Sequence, residues 1–271
     1  MSNPPPKDTY THGHHASVLR SHSWRTAQNS AGYLLPMLGT SDRLLDVGCG
    51  VGTITLDLAE LLKEGSVTGI EPVEGVLADV ATAAQQRSLT NVTLELGDVY
   101  DLAYDDDTFD VTHAHQVLQH LSDPVAALRQ MRRVTKPGGL VAVRDADYAG
   151  MFWAPADPRL DRWVDTYRKV AHRNDADPDA GRHLLGWAQE AGFTDITTSA
   201  SVWVFATPED RAWWGGTWAE RSVSSAFATQ AVEYGLADAA DLADISAAWN
   251  DWTAEPAGFF AVVHAEILAR A

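Results

Sequence analysis

The stretch Arg43-Leu44-Leu45-Asp46-Val47-Gly48-Cys49-Gly50-Val51-Gly52 decides the fold. Leu44–Val47 is a short apolar run with the length of a buried strand, and it enters a turn with glycine at every second position. Glycine has no Cβ and adopts φ > 0 freely, so such a turn lets a ligand approach the backbone itself. Asp46 stands at the carboxyl end of the strand, where open α/β sheets place their ligands. The spacing is G-x-G-x-G and departs from the G-x-G-x-x-G of nicotinamide dinucleotide sites, because Thr53 follows the last glycine.

Working outward, strands and helices alternate. Thr53–Leu62 reads as a helix, Ser66–Glu71 as a strand, Glu74–Gln86 as a helix and Val92–Leu96 as a strand. Phe109–Ala114 is a fourth strand. Asp123-Pro124 then opens a helix with an N-cap and an N1 proline, and Leu140–Val143 is a fifth strand. This alternation predicts a doubly wound, mostly parallel, Rossmann-like sheet. Beyond Asp147 the chain turns helical, with Asp157-Pro158 and Thr207-Pro208-Glu209-Asp210 as helix starts. Val202–Ala206 reads as a sixth strand and Phe259–Leu268 as a closing one, for seven in all. The expected organisation is an N-terminal helical lid (1–38), a nucleotide-binding core (39–148), a part with the remaining sheet elements and a helical insertion (149–258), and the closing strand (259–271).

Composition narrows the function classes. Among 271 residues, 20 Lys+Arg against 37 Asp+Glu give a net charge of −17, a field that repels nucleic-acid backbones and anionic membranes. The lone cysteine, Cys49, excludes an internal disulfide framework and fits a reducing compartment. No apolar run is long enough to span a bilayer, and the proline-rich start has no signal-peptide core, so a cytoplasmic location is expected. His12, His14, His15 and His22 lack partners at ligand spacing, so no metal site is expected there. The oligomeric state stays open, with a homodimer among the alternatives.

Two further acids sharpen the turn. Glu71 ends the second strand 19 residues after Gly52, near the offset at which a carboxylate accepts ribose hydroxyls. Gly97-Asp98-Val99 ends the third strand, with a carboxylate and a backbone N–H available to a base. In a doubly wound sheet the three strand ends lie side by side. With "LLDVGCGVGTITLDLA" (44–59), "VTGIEP" (67–72), "LGDVYDLAY" (96–104), "FDVTHAHQVLQHLSDP" (109–124) and "LRQMRRVTKPGGLVAVRD" (128–145), the chain resembles the class I S-adenosylmethionine-dependent methyltransferases. The resemblance is strongest to their ubiquinone/menaquinone-biosynthesis-like, small-molecule branch, and it covers residues 43–147.

The resemblance implies S-adenosylmethionine as cofactor. Asp46, Gly48 and Gly50 would hold its methionine portion, Glu71 its ribose hydroxyls, and Pro72 would pack near adenine. Asp98 and the Val99 N–H would read the adenine, while His115 and Gln116 would lie beside the methionine end. Cys49 within the turn reads as a small packing residue. Methyl transfer to a small, hydrophobic or aromatic acceptor would rest on in-line positioning, which supplies about 7–11 kcal/mol. An O–H acceptor adds a need for proton removal, for which His115, His120, Asp145 and Asp147 are candidates, His115 and Asp145 foremost. His120 also fits an apolar helical face; of Asp145 and Asp147, one is expected to face the site and the other to pack elsewhere.

Two regions are left for the acceptor. Residues 17–34 form the lid in related enzymes, with Tyr10 or Trp24 covering the site and Arg25 either reaching the methionine carboxylate or making a surface pair. All ten tryptophans lie outside 25–152. Trp163, Trp187, Trp249 and Trp252 recur at helical spacing and read as core, whereas Phe152, Trp153, Trp213, Trp214 and Trp218 are the candidates for an apolar acceptor pocket. The alternatives are a non-catalytic cofactor-binding protein of the same fold and, disfavoured by the turn spacing, a nicotinamide oxidoreductase.

Overall fold

The computed structural model describes Asp8 and residues 24–271. Tyr10, the four N-terminal histidines and the lid residues before Trp24 lie outside the described residues.

Five parallel strands are laid in the order β3 (Val92–Leu96), β2 (Ser66–Glu71), β1 (Arg43–Val47), β4 (Phe109–His115) and β5 (Thr135–Ala146). The order reverses at β1, so a crevice opens between the carboxyl ends of β1 and β4. β8 (Phe259–Arg270) then runs antiparallel to β5. Among the described residues the sheet has eight strands, one more than the sequence suggests. The addition is β6 (Phe152–Ala154), in residues expected as loop. β8 is 12 residues long and β5 covers only its 264–270 half, so β6 satisfies the exposed edge at 259–261. Ala261 is paired with Phe152 of β6 and Val204 of β7 (Ile196–Phe205), which places β6 in line with β5 along one edge of β8 and β7 along the other.

α1 (Ala27–Ser30) and α2 (Thr53–Leu61) contribute to the core cluster on one sheet face, with Leu44, Val111 and Ala142 of the sheet. α3 (Glu74–Gln86) packs near β2 and β3, and α4 (Pro124–Val134) and α6 (Leu184–Glu190) bury the other face. Capping follows the sequence signals. Asp123 accepts from the Ala126 N–H at 2.9 Å, and Thr207 and Asp210 form a reciprocal capping box at the start of α7 (Pro208–Ser224). α5 (Pro158–Arg173), α7, α8 (Ala226–Glu233) and α9 (Ala239–Ala254) form the core of the second half. Trp163, Trp218 and Trp249 are buried there, with Trp163 edge-on to the other two at centroid distances of 4.6 and 4.9 Å. Each such pair adds about 0.5–1.5 kcal/mol beyond burial.

Candidate functional site

The turn after β1 is tethered to β2, since the Gly48 and Cys49 N–H groups both donate to the Ile70 carbonyl at 2.9 and 3.0 Å. Gly48, Gly50 and Gly52 take φ of +69°, +52° and +76°. Their reasons differ. A Cβ on Gly48 would lie 2.6 Å from Val117, and one on Gly52 2.3 Å from Val80, so these two are demanded by packing. A Cβ on Gly50 would meet only the Gly48 carbonyl at 4.0 Å, so this glycine faces open space. Its N–H donates to Glu71 Oε2 at 3.1 Å, which holds the carboxylate at the rim of the same opening. Burial raises the Glu71 pKa, opposed by the hydrogen bonds from Gly50 and Val73.

Gly97 N–H donates to the Glu71 carbonyl at 3.3 Å and carries Asp98 next to it. Asp98 is exposed and accepts from the Tyr100 N–H at 2.9 Å, with Val99 buried behind it and Pro72 exposed. Cys49 is half-buried and close to Gly69; burial first, then the Asp46 and Glu71 carboxylates, push its thiol well up, so it stays protonated. Asp46 has a different surrounding from the ligand-facing one the resemblance implies. Its Oδ1 accepts from His113 Nδ1 at 2.7 Å and its Oδ2 from the Thr55 hydroxyl at 2.6 Å. The buried carboxylate thereby locks β1 to β4 and α2 beneath the turn.

On the other side of β1 the polar groups lie deeper. Gln116, just past β4, holds a left-handed φ of +54°, a costly conformation for a residue with a side chain. Its N–H donates to the Arg144 carbonyl at 2.7 Å. Its side chain accepts from Arg25 and lies 2.7 Å from His264 Nε2. The sheet register puts His115 beside Arg144, and Arg144 opposite Glu266, on one face. Arg144 and Glu266 form a buried ion pair at 3.2 Å, and Ser199 and Ser201 donate to Glu266. His115 is 6% exposed and neither ring nitrogen has a hydrogen-bond partner. Burial, then Arg144, Arg25 and His264, hold its pKa well below the usual imidazole range.

Asp145 and His115 are not brought together, because Asp145 follows Arg144 in the strand and points to the opposite face. Its Oδ1 accepts from the Gln119 N–H at 3.1 Å, its Oδ2 has no partner, and burial pushes its pKa up to about 8. Asp147 does not differ from it by strand alternation as expected, since residues two apart share a face; β5 ends at Ala146 and Asp147 caps the turn at Gly150 while pairing with Arg182 at 2.6 Å. His120 is packed against Gln119 at 3.1 Å, and burial lowers its pKa to about 3.

The five aromatic candidates do not form one pocket. Trp214 and Trp218 lie on the inner face of α7 and belong to the core, with Trp214 stacked on Phe205 at 4.4 Å. Trp153 stacks on Phe260 at 5.6 Å, and Phe152, its neighbour in β6 on the opposite face, is 54% exposed beside Phe259. Among the described residues, Trp213 alone of the five reaches the N-terminal segment, at 5.5 Å from Trp24. The residue missed is Trp203 of β7. It touches Trp24 at 5.2 Å, His115 at 5.6 Å and His264 at 4.3 Å, and its indole N–H donates to the Asn29 carbonyl at 2.7 Å. The alternation of Trp203 and Phe205 in the predicted strand was the available signal. Arg144, a charge inside an apolar strand run, was another. Among the described residues, no group of three or more potential ligands for a metal occurs and no helix is long and apolar enough to cross a membrane.

Comparison with known proteins agrees with this geometry. A methyltransferase-domain family profile matches residues 38–192. An uncharacterized methyltransferase of Schizosaccharomyces pombe is 33% identical over 276 residues, covering 99% of this chain and 98% of that protein. A ubiquinone/menaquinone biosynthesis C-methyltransferase of Bdellovibrio bacteriovorus is 36% identical over 102 residues, 38% of this chain and 43% of that one. Among solved structures, the [4+2]-cyclase SpnF aligns over 92% of this chain and 80% of its own with a TM-score of 0.52 and 25% identity. The chain thus belongs to the methyltransferase-domain family, as a class I S-adenosylmethionine-dependent type with ubiquinone/menaquinone-type relatives.

Proposed function

We propose that the chain binds S-adenosylmethionine at the ends of β1–β3 and methylates a small acceptor held at the ends of β4, β5, β7 and β8. The observation that carries the reading is Gly50, whose Cβ position is open and whose N–H is aimed at Glu71. The donors fit the group. Glu71 would take the ribose hydroxyls, Asp98 and the Val99 N–H the adenine, and the turn from Gly48 to Gly50 the amino-acid end, with Asp46 and Cys49 supporting the turn from below and behind. When bound, the cofactor supplies an electrophilic methyl carbon on a sulfonium. The protein's part is alignment, with Trp24, Trp203 and Trp213 packing the apolar body of the acceptor and Arg25 and Gln116 fixing the segment that covers it.

Proton transfer is modest in this reading. Burial raises the Asp145 pKa to about 8, which favours its protonated form near neutral pH and makes it a poor proton acceptor there. His115 is a neutral imidazole of low basicity, suited to hydrogen-bond the acceptor's oxygen rather than to carry its proton away. The proposed division of labour follows the sheet and not the chain, with the ends of β1–β3 for the cofactor and residues from β4, β5, β7, β8 and the segment at Trp24 for the acceptor. A second reading keeps the fold and gives it another reaction, for which the likeness to a [4+2]-cyclase is the specific support. Incubation with methyl-labelled S-adenosylmethionine and a panel of quinones, phenols and azoles decides between them. Label transferred to an acceptor supports methylation; tight cofactor binding with no transfer to any acceptor overturns it in favour of the second.

A further inference from the structure

Four side chains with charge or hydrogen-bonding capacity surround one indole. The Arg144 guanidinium lies 4.8 Å and the Arg25 guanidinium 5.8 Å from the Trp203 ring centre, with His264 at 4.3 Å and His115 at 5.6 Å. The neighbouring carboxylate, Glu266, is occupied by Arg144, Ser199 and Ser201. Arg144 spends Nε and Nη2 on Ser201 and Glu266 and leaves Nη1 buried without a partner. Both nitrogens of His115 are likewise unpartnered. Gln116 accepts from Arg25 through Oε1, so its amide nitrogen donates to His264 Nε2, and a neutral His264 then carries its proton on Nδ1. The Val262 carbonyl accepts from this ring and opposes the fall in its pKa, so His264 is not among the unpartnered donors. Buried donors without acceptors cost about 1–3 kcal/mol each, so this concentration, unmatched among the described residues, calls for a further acceptor atom.

We propose that these atoms around Trp203 form a subsite for an acidic acceptor, a phenol, enol or carboxylic acid taken up as its anion. The inference rests on the methyltransferase reading above and specifies its substrate class. An anionic oxygen supplies the missing acceptor for Arg144 Nη1 and for the protonated nitrogen of His115. It also removes the need for a strong base, which neither His115 nor the protonated Asp145 provides. The cofactor's own carboxylate is a poorer occupant. β8 is the third strand from β1, about 14 Å across the sheet from the glycine turn, and β5 is the second, about 10 Å away.

The test uses 4-nitrophenol, whose colour reports its ionisation, against 4-nitroanisole, its neutral methyl ether. Both are titrated into the protein with and without S-adenosylhomocysteine, about one pH unit below the free phenol's pKa. The expected result is appearance of the phenolate absorbance on binding, with the bound pKa lowered by about one unit or more and the ether at least tenfold weaker. Arg25→Gln and His115→Gln, which leave the buried Arg144–Glu266 pair intact, should move the bound pKa back toward the free value; Arg144→Gln should do so most if it folds. Equal binding of phenol and ether, absence of phenol binding, or a bound phenol that stays neutral overturns the proposal. So does an Arg25→Gln protein that loses S-adenosylhomocysteine affinity while keeping its preference for the phenolate. Failure of S-adenosylhomocysteine to bind the unaltered protein counts against the cofactor reading alone, since the phenol titration without it still stands.

Discussion

The ends of β1, β2 and β3 and the ends of β4, β5 and β8 belong to one sheet yet keep their polar groups in opposite ways. On the first side Glu71 and Asp98 sit at the rim, half-buried and exposed, and meet backbone N–H groups of neighbouring turns. On the second, His115, Arg144, His264 and Glu266 are buried in the sheet face and meet one another. A rim carboxylate keeps part of its hydration and is cheap to hold ready. A buried charge must be matched within the protein, so its removal is felt by the whole fold.

The sharpest way to break this contrast is to remove one charge from each side. Glu266→Ala leaves Arg144 buried beside neutral groups and should cost about 3–5 kcal/mol of stability, whereas Asp98→Ala should stay within about 0.5 kcal/mol. Urea unfolding monitored by tryptophan fluorescence measures both. Equal losses would mean that the two sides are not held differently.

Next in size is a pair of glycines from one turn. Gly52→Ala forces a Cβ to 2.3 Å from Val80 at a left-handed φ and should cost about 2–4 kcal/mol of stability. Gly50→Ala bears only the conformational strain, about 1–2 kcal/mol, but fills the open cradle. Its S-adenosylhomocysteine affinity should fall by more than about tenfold, or 1.4 kcal/mol. Calorimetric titration of the folded Gly50→Ala protein checks this, and an unchanged affinity would remove the turn from the ligand site.

The first side was legible because its information is local. A turn that demands φ > 0, and acids two residues or fewer beyond a strand, can be read in windows of ten residues. Helix starts at Asp123, Asp157 and Thr207 were readable for the same reason, since a cap is a contact over two or three residues. The second side is assembled across long separations. Arg144 meets Glu266 122 residues away, and Gln116 meets His264 148 residues away. No window contains such pairs, and a tryptophan gives no sign of which core it enters. That is why Trp214 and Trp218 were read as pocket and Trp203 was passed over.

A smaller effect sharpens the cofactor side. Glu71→Ala and Asp98→Ala should each weaken S-adenosylhomocysteine binding by about 1.5–3 kcal/mol, the usual loss for a hydrogen bond to a charged group. Glu71→Ala should be the larger, because it also releases the Gly50 N–H and loosens the turn. Affinities that are unchanged in both proteins would end the assignment of these acids.

The last comparison concerns pH, and it separates the two faces at β5. His115 and His264 have pKa values held down by burial and the neighbouring guanidinium groups, and His120 is lowered to about 3. In the unfolded chain they bind protons below about 6.5 and in the folded protein they do not, so stability rises with pH up to that point. Asp145 works in the other direction. Its folded pKa of about 8 lies far above the unfolded value of about 3.9, so between these limits the folded state holds a proton that the unfolded state has lost. Its contribution is complete below the unfolded pKa and drains away at up to about 1.4 kcal/mol per pH unit until pH 8 is passed. The two slopes oppose each other below 6.5, and above it only that of Asp145 remains. Stability of the unaltered protein should therefore fall between pH 6.5 and 8, while Asp145→Asn, which cannot ionise, should be flat across that window and should rise more steeply than the unaltered protein below it. Chemical denaturation at half-unit intervals resolves the difference. A wild-type curve that is flat over the same window would show Asp145 to be ionised in the folded protein, and the opposite face of β5 would then offer a carboxylate base after all.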